Sequence, residues 1–426
     1  MDTAKQKHNI KLFSIYKMCA WDLLFFYAIQ FLFFTQVKGI SAAGVLFADS
    51  FYPIFKFMFQ LPCLAIVNKL KLKNSLILGN ILVSLGILSY IIGNGISSII
   101  ISNFLQAIGY NLKGTCETDL LYSSIPKNDE RGKNFSKIDG KSSAYYYYLN
   151  GITSVITGFL FVINGYLPIF LCFLMTLVST IISLKFYSPD INNEVLTKPK
   201  KENRKNKFNN FINSIKFIFG SKRLRSLLIF SGLFHGLISI VPTLRSSILV
   251  DMSVPEQYFG IIMAVLQIIS GFTSKNANWF HKKYKNETLM NFSITFTITF
   301  MIIGVIALTI KNPVIKFTLI ALTFIVQYII KGPYYTLIKR YLSNFSTSVL
   351  RPKLYTANTF VESIGRAIIY LLCSFLLSHT STSYVFVITG AISIITFVFI
   401  LSYMKPRVGL KPEEYDKKDV EYASLK

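Results

Sequence analysis

The chain has 426 residues, of which 52% are hydrophobic and only 15% charged, with a mean hydropathy of +0.48. A soluble protein of that length would need two or three domains with amphipathic surfaces, whereas apolar runs of about 18 residues or more recur here along the whole chain, each a candidate transmembrane helix. The net charge of +25 would suit nucleic acid, but 37 of the 45 lysines and arginines fall in alternate loops, the two tails and the span ends that border them, so the basicity reports membrane topology by the positive-inside rule and excludes a nucleic-acid partner.

The chain opens on a short basic tail. Its first apolar run has no small-residue cleavage site and is followed at once by another span, so it reads as an anchor and not as a cleaved signal. This first span covers about 16–36 and carries Asp22, Tyr27 and Gln30; the second, about 41–67, carries Asp49, Pro53 and Lys56. A tight basic loop at 68–74 leads to a third span at about 75–92. The fourth begins near Ile96, places Lys113, Glu117 and Asp119 on its last turns, and runs into a polar, charged loop at 125–144. A fifth span at about 145–163 opens on four consecutive tyrosines, Tyr145 to Tyr148, which fit an interfacial aromatic belt. The sixth ends near Tyr187.

Residues 188–222 change character, being rich in Lys, Asn and Glu, with an amphipathic piece at about 208–219 suited to lie on the membrane surface. The second half then repeats the plan, with spans at about 224–249, 257–280, 288–310, 313–338, 355–378 and 384–404. The basic loop His281 to Asn286 answers the one after the second span. Lys113-Gly114 followed by Thr118 recurs as Lys331-Gly332 followed by Thr336, and Arg131-x-Lys133 recurs as Arg351-x-Lys353. Such recurrence half a chain apart is how an internally duplicated membrane protein reads. The expected fold is therefore an all-α membrane protein of twelve transmembrane helices in two pseudo-symmetric six-helix bundles, 1–187 and 223–404. A cytoplasmic linker at 188–222 joins them and a cytoplasmic tail at 405–426 follows. Both termini face the cytoplasm, with anionic lipid headgroups beside the basic loops.

An ionisable group inside a span costs about 2.5–3.5 kcal/mol on insertion scales, so each one needs a reason. Asp22, Gln30, Asp49, Lys56, Lys113, Glu117, His235, Lys331, Glu362 and Arg366 are the candidate cavity and coupling residues. Glu362 and Arg366 are four apart in the order that favours a helical ion pair. Glu117 and Glu362, each beside a base, are candidate proton carriers that exchange a proton for a salt bridge. The duplicated lysines serve an anionic part of the cargo or a carboxylate in one gate state, or else snorkel toward headgroups. Arg245, near the outer rim, fits simple snorkelling. His235 is either a titrating group near neutral pH or a packed polar residue. There is no Gly-x4-Gly-Lys-Ser/Thr phosphate loop, and the five cysteines and four histidines are scattered, so neither a cofactor nor a metal is expected.

Two halves of six spans, a long basic middle loop and matched basic turns resemble the major facilitator superfamily over essentially the whole chain. That family's signature between spans two and three is a Gly, an Asp-Arg pair, a further Gly and paired basic residues. Here the first Gly position holds Leu64, the Asp position Asn68 and the Arg position Lys69, while the basic cluster survives as Lys71 and Lys73. Asn68, Lys69, Asp119 and Arg131 are the candidate cytoplasmic gate residues. In span four, Gly114 to Tyr122 resembles a bacterial efflux-like subgroup, with Glu117 and Tyr122 matching and Ser123 in place of an Asp. The fourth-span arginine of proton-coupled members falls near Asn103, and the Gly-Pro-rich fifth-span motif of antiporters is absent.

The resemblance implies a monomeric secondary active transporter of the bacterial plasma membrane, not an enzyme, that exports small molecules by alternating access with protons as coupling ion. With 38 Phe and 24 Tyr, an aromatic cavity between the halves suits amphipathic organic cargo. Two alternatives stay open. One is uptake of a nutrient or small metabolite; the other is a non-transporting sensor or scaffold, for which the eroded loop signature speaks. Acids and bases in the spans are balanced, so the cargo's charge is open.

Overall fold

The computed structural model describes residues 3–126, 131–188, 220, 222–284, 287–344 and 351–408. Most of the expected linker with its amphipathic piece, the tail beyond 408 and the side chains of Arg131, Lys133, Arg351 and Lys353 lie outside the described residues. Among the described residues the secondary structure is helical, without a strand. The chain divides into two compact units, residues 1–201 with 255–264, and residues 202–254 with 265–426.

The first unit contains α1 (Thr3–Ala20), α2 (Gln30–Leu32, continuing as a π-helical turn Phe33–Val37), α3 (Ala42–Asp49), α4 (Phe51–Met58), α5 (Gln60–Ile92), α6 (Gly95–Ser124), α7 (Arg131–Ile163) and α8 (Leu167–Leu184). The second contains α9 (Lys222–Asp251), α10 (Gln257–Lys275), α11 (Ala277–Tyr284), α12 (Thr288–Thr309), α13 (Pro313–Asn344), α14 (Arg351–His379) and α15 (Thr382–Val408), the start of α10 grouping with the first unit. Among the described residues nine helices are long and apolar enough to cross a membrane: α5, α7 to α10 and α12 to α15. The expected first, second and fourth spans fall outside that set, each for a physical reason.

The first span is broken. α1 ends at Ala20, and Trp21 to Ile29 carry no regular helix, with Phe25 at φ 60°. The second span is split into α3, α4 and the start of α5, and both breaks precede a proline by about one turn. Pro53 has no N–H for the carbonyl of Asp49, where α3 ends, and Pro62 none for that of Met58, where α4 ends. The fourth span, α6, is continuous but polar. Its Ser98, Ser102, Asn103, Gln106 and Lys113 are buried within the protein instead of facing lipid. A helix with that content must be covered by its neighbours. α6 meets α5 at Gly79 and Gly109, where a Cβ on Gly109 would stand 2.7 Å from the Gly79 carbonyl oxygen. Small residues let two membrane helices approach this closely.

Three further expectations are corrected. The loop at 68–74 contracts to one residue: Lys71, at φ 67° and ψ 167°, interrupts α5 between the second and third spans. That backbone region is essentially reserved for glycine. The loop at 125–144 is mostly helix, because α7 starts at Arg131 and is tied down by Lys17, whose Nζ lies 2.5 Å from Asp139 Oδ1. The four tyrosines also divide: Tyr146 is 5% exposed and packs edge-on against Trp21, while Tyr148 is 71% exposed. Only part of that run remains free for an interfacial belt.

Candidate functional site

The break in the first span assembles a polar cluster in the first unit. Asp22 Oδ1 accepts the Leu23 N–H at 2.9 Å, a local bond that competes with continuation of the helix. The same oxygen accepts the hydroxyls of Tyr27 at 2.6 Å and Tyr110 at 2.9 Å. The Ala20 carbonyl, at the end of α1, has lost its helical donor. It accepts instead from Lys113 Nζ at 2.5 Å. Lys113 is 3% exposed, its ammonium stands 4.9 Å from the Tyr110 ring centroid, and both Glu117 and Asp22 attract it. One helical turn on, Glu117 accepts the Tyr16 hydroxyl at 3.0 Å, and Asn80 Nδ2 donates to that hydroxyl at 3.1 Å. Buried Leu23, Leu24, Phe26, Ala28 and Ile29 cover the non-helical segment, the condition under which irregular backbone survives at membrane depth.

This arrangement has a definite chemical capacity. A carboxylate held in the protein interior beside a lysine is neutralised either by that lysine or by a proton. The tyrosine hydroxyls serve either state, since each both donates and accepts.

Two other predicted residues of the first unit meet one another. Gln30 Nε2 donates to Asp49 Oδ2 at 3.3 Å, and Asn103 Nδ2 donates to the Ala48 carbonyl at 3.0 Å and faces Asp49 Oδ1 at 3.4 Å. Asp49 is 6% exposed. Lys56 stands apart, half-buried, with its ammonium 5.8 Å from the Tyr52 ring centroid.

In the second unit Glu362 accepts the Ser231 hydroxyl at 3.2 Å and Asn358 Nδ2 at 2.8 Å. Arg366 lies over Tyr370, 5.0 Å from the ring centroid, and the Tyr370 hydroxyl donates to the Ser239 carbonyl at 2.8 Å. Tyr335 links three candidates: His235 packs edge-on against it at 5.7 Å, and both Glu362 and Arg366 act on it electrostatically. Lys331 lies over Tyr328, 4.6 Å from its centroid. The glycine beside each duplicated lysine behaves differently. A Cβ on Gly332 would overlap the Ser270 carbonyl, so α10 approaches there, whereas Gly114 faces open space.

The structure thus joins Asp22, Lys113 and Glu117 in one cluster, Gln30 and Asp49 in a second, and His235, Glu362 and Arg366 around one tyrosine. Asn68, Lys69 and Asp119 are exposed, and the Arg131 side chain lies outside the described residues. Arg245 does not snorkel: it is 1% exposed and its Nη1 donates to the Tyr328 hydroxyl at 3.0 Å. Sequence reasoning passed over Tyr16, Tyr110, Tyr328 and Asn80 as functional partners. The available signal was a longer repeat than Lys-Gly alone, since Tyr110-x-x-Lys113-Gly114 recurs as Tyr328-x-x-Lys331-Gly332.

With this geometry in place, comparison with known proteins is informative about the fold. The model of the Major Facilitator Superfamily matches residues 15–349. No curated protein sequence matches the chain significantly. The solved structure of the nucleoside transporter NupG is 12% identical, with a TM-score of 0.74 over 94% of this chain and 99% of that one. A POT family transporter in complex with 5-aminolevulinic acid is 11% identical, with a TM-score of 0.65 over 95% and 96%. A peptide transporter POT in complex with sulfate is 13% identical, with a TM-score of 0.64 over 96% and 94%.

Proposed function

We propose a specific transport role for this chain, which belongs to the Major Facilitator Superfamily and is a multi-pass membrane protein. It is a proton-coupled secondary active transporter that exports small amphipathic organic molecules by alternating access. It works as a monomer in the bacterial plasma membrane with both termini in the cytoplasm. The six-span halves are 1–187 and 223–404, and Asn68, Lys69, Asp119 and Arg131 line the cytoplasmic gate. The observation that supports coupling is the placement of Glu117 one turn from Lys113 at the broken first span, close enough to act on it electrostatically, where Tyr16 holds the carboxylate and Ala20 the ammonium. One charge compensates the other in one state, and a proton replaces it in the next.

A second reading, uptake of a polar metabolite, draws on two observations. The similar structures are of nucleoside and peptide transporters, and the Gln30, Asp49 and Asn103 network offers hydrogen-bonding groups in the interior of the first unit. Inside-out vesicles carrying the protein and an imposed pH gradient separate the readings. Pools of amphipathic drugs, peptides and organic acids are added one at a time. Export coupled to protons collapses the gradient with at least one pool, and Glu117→Gln abolishes that response. Silence across all pools from folded protein, or an unchanged response in Glu117→Gln, refutes the proposal.

A further inference from the structure

The duplicated Tyr-x-x-Lys-Gly element lets one half serve as an internal control for the other. In the first unit the Tyr110 hydroxyl donates to a carboxylate, Asp22, and the lysine donates to the Ala20 carbonyl within the field of two acidic residues, Glu117 and Asp22. In the second unit the same element meets a cation. The Tyr328 hydroxyl accepts from Arg245, and the charges acting on it are Arg245 and Lys331, both positive. A hydroxyl that accepts still has a proton to donate. Among the described residues the Tyr328 hydroxyl has no acceptor and the Lys331 ammonium no hydrogen-bonding or ionic partner, only the Tyr328 ring. Tyr328 is 1% exposed, and Lys331 is half-buried on the same face, one turn along α13.

We propose that Tyr328 and Lys331, with Arg245 behind them, form a binding site for an oxyanion, a carboxylate or phosphate carried by the transported molecule. The proposal rests on the transporter reading above and narrows its cargo to organic anions. A tyrosine O–H and a lysine ammonium side by side, the ammonium 4.6 Å from the ring centroid, offer the donors an oxyanion takes, and a fully buried guanidinium within hydrogen-bond distance of the phenol adds charge that solvent does not screen. Arg245 also polarises the phenol, which strengthens it as a donor. An ammonium in the interior of a membrane protein requires such a counter-charge. In the first unit the fold supplies it; here the ligand does.

The test uses the full chain purified in detergent at low ionic strength, titrated calorimetrically with benzoate and with inorganic phosphate, against neutral benzamide. Saturable binding of either anion, weakened about tenfold or more in Lys331→Gln and retained in Lys331→Arg, is expected. Tyr328→Phe weakens binding while leaving the charges in place, and elution volume and unfolding temperature verify that each variant is folded. A lipid headgroup phosphate is the other source of the same chemistry. In that case phosphatidylglycerol stays bound in native mass spectra of the parent and is lost in Lys331→Gln, while benzoate fails to displace it. Anion binding no better than benzamide with no retained lipid, or equal binding by Lys331→Gln, overturns the site. Because no gradient is applied, failure here is distinct from failure of proton coupling.

Discussion

Lys113→Met tests the cluster at the broken span most sharply, because it preserves the side chain's bulk and removes the ammonium alone. Two losses follow from the geometry. The charged hydrogen bond to the Ala20 carbonyl disappears, worth about 1.5–3 kcal/mol. Glu117 also loses its strongest cationic neighbour, which acts on it through space from one turn along α6. The charged hydrogen bond sets the scale, so the expected destabilisation is about 1.5–3 kcal/mol. Adding Glu117→Gln removes the stranded charge, and the glutamine can still accept from Tyr16. The double variant is therefore more stable than Lys113→Met alone, with a coupling energy of about 0.5–3 kcal/mol. Unfolding of the parent, both single variants and the double variant in one detergent gives the cycle. A double variant no more stable than Lys113→Met would show that the pair is not energetically linked.

Other outcomes follow from the same structure. Asp22→Asn leaves an acceptor for Tyr27 and Tyr110 but weakens two charge-assisted bonds. It is expected to cost about 1 kcal/mol of stability while reducing gradient-driven transport much more; full transport would remove Asp22 from the site. Gly365→Leu forces α9 and α14 apart, since even a Cβ there overlaps the Gly232 carbonyl, and folded protein should be lost from membranes. Gly114→Ala, facing open space, should stay within about 0.5 kcal/mol of the parent. Lys71→Gly relieves a backbone conformation that costs about 1–3 kcal/mol in a residue with a Cβ, so its unfolding temperature should rise; a fall would mean that the lysine side chain matters more than the turn.

How far the sequence led depends on what sets each feature. The apolar helices were legible because lipid exposure imposes composition directly: seven of the nine spans recognised by length and apolarity lie close to the predicted ones, while 60–92 and 138–163 start well before the expected 75 and 145. The broken second span was written in Pro53 and Pro62, whose missing donors stop the helix at fixed offsets. The first break was not, because nothing in Trp21 to Ile29 forbids helix. It depends on Asp22 bonding its own backbone and on Lys113 arriving from α6 to take the Ala20 carbonyl. Asp22, Lys113 and Glu117 stood out as charges in spans, but their convergence did not. Arg245 was misplaced for a related reason. Position near a helix end suggests snorkelling, yet its side chain turns inward to Tyr328, a partner that sequence spacing cannot reveal.

The most direct measurement compares two modes of transport in the same proteoliposomes, using the cargo the vesicle screen identifies. Counterflow exchange needs only binding and alternation, whereas accumulation against a gradient needs the proton as well. If Glu117 carries the proton, Glu117→Gln retains counterflow and loses pH-driven accumulation, and internal pH no longer changes as cargo moves. Accumulation and proton movement that both persist in folded Glu117→Gln would contradict the assignment and place coupling elsewhere in the chain.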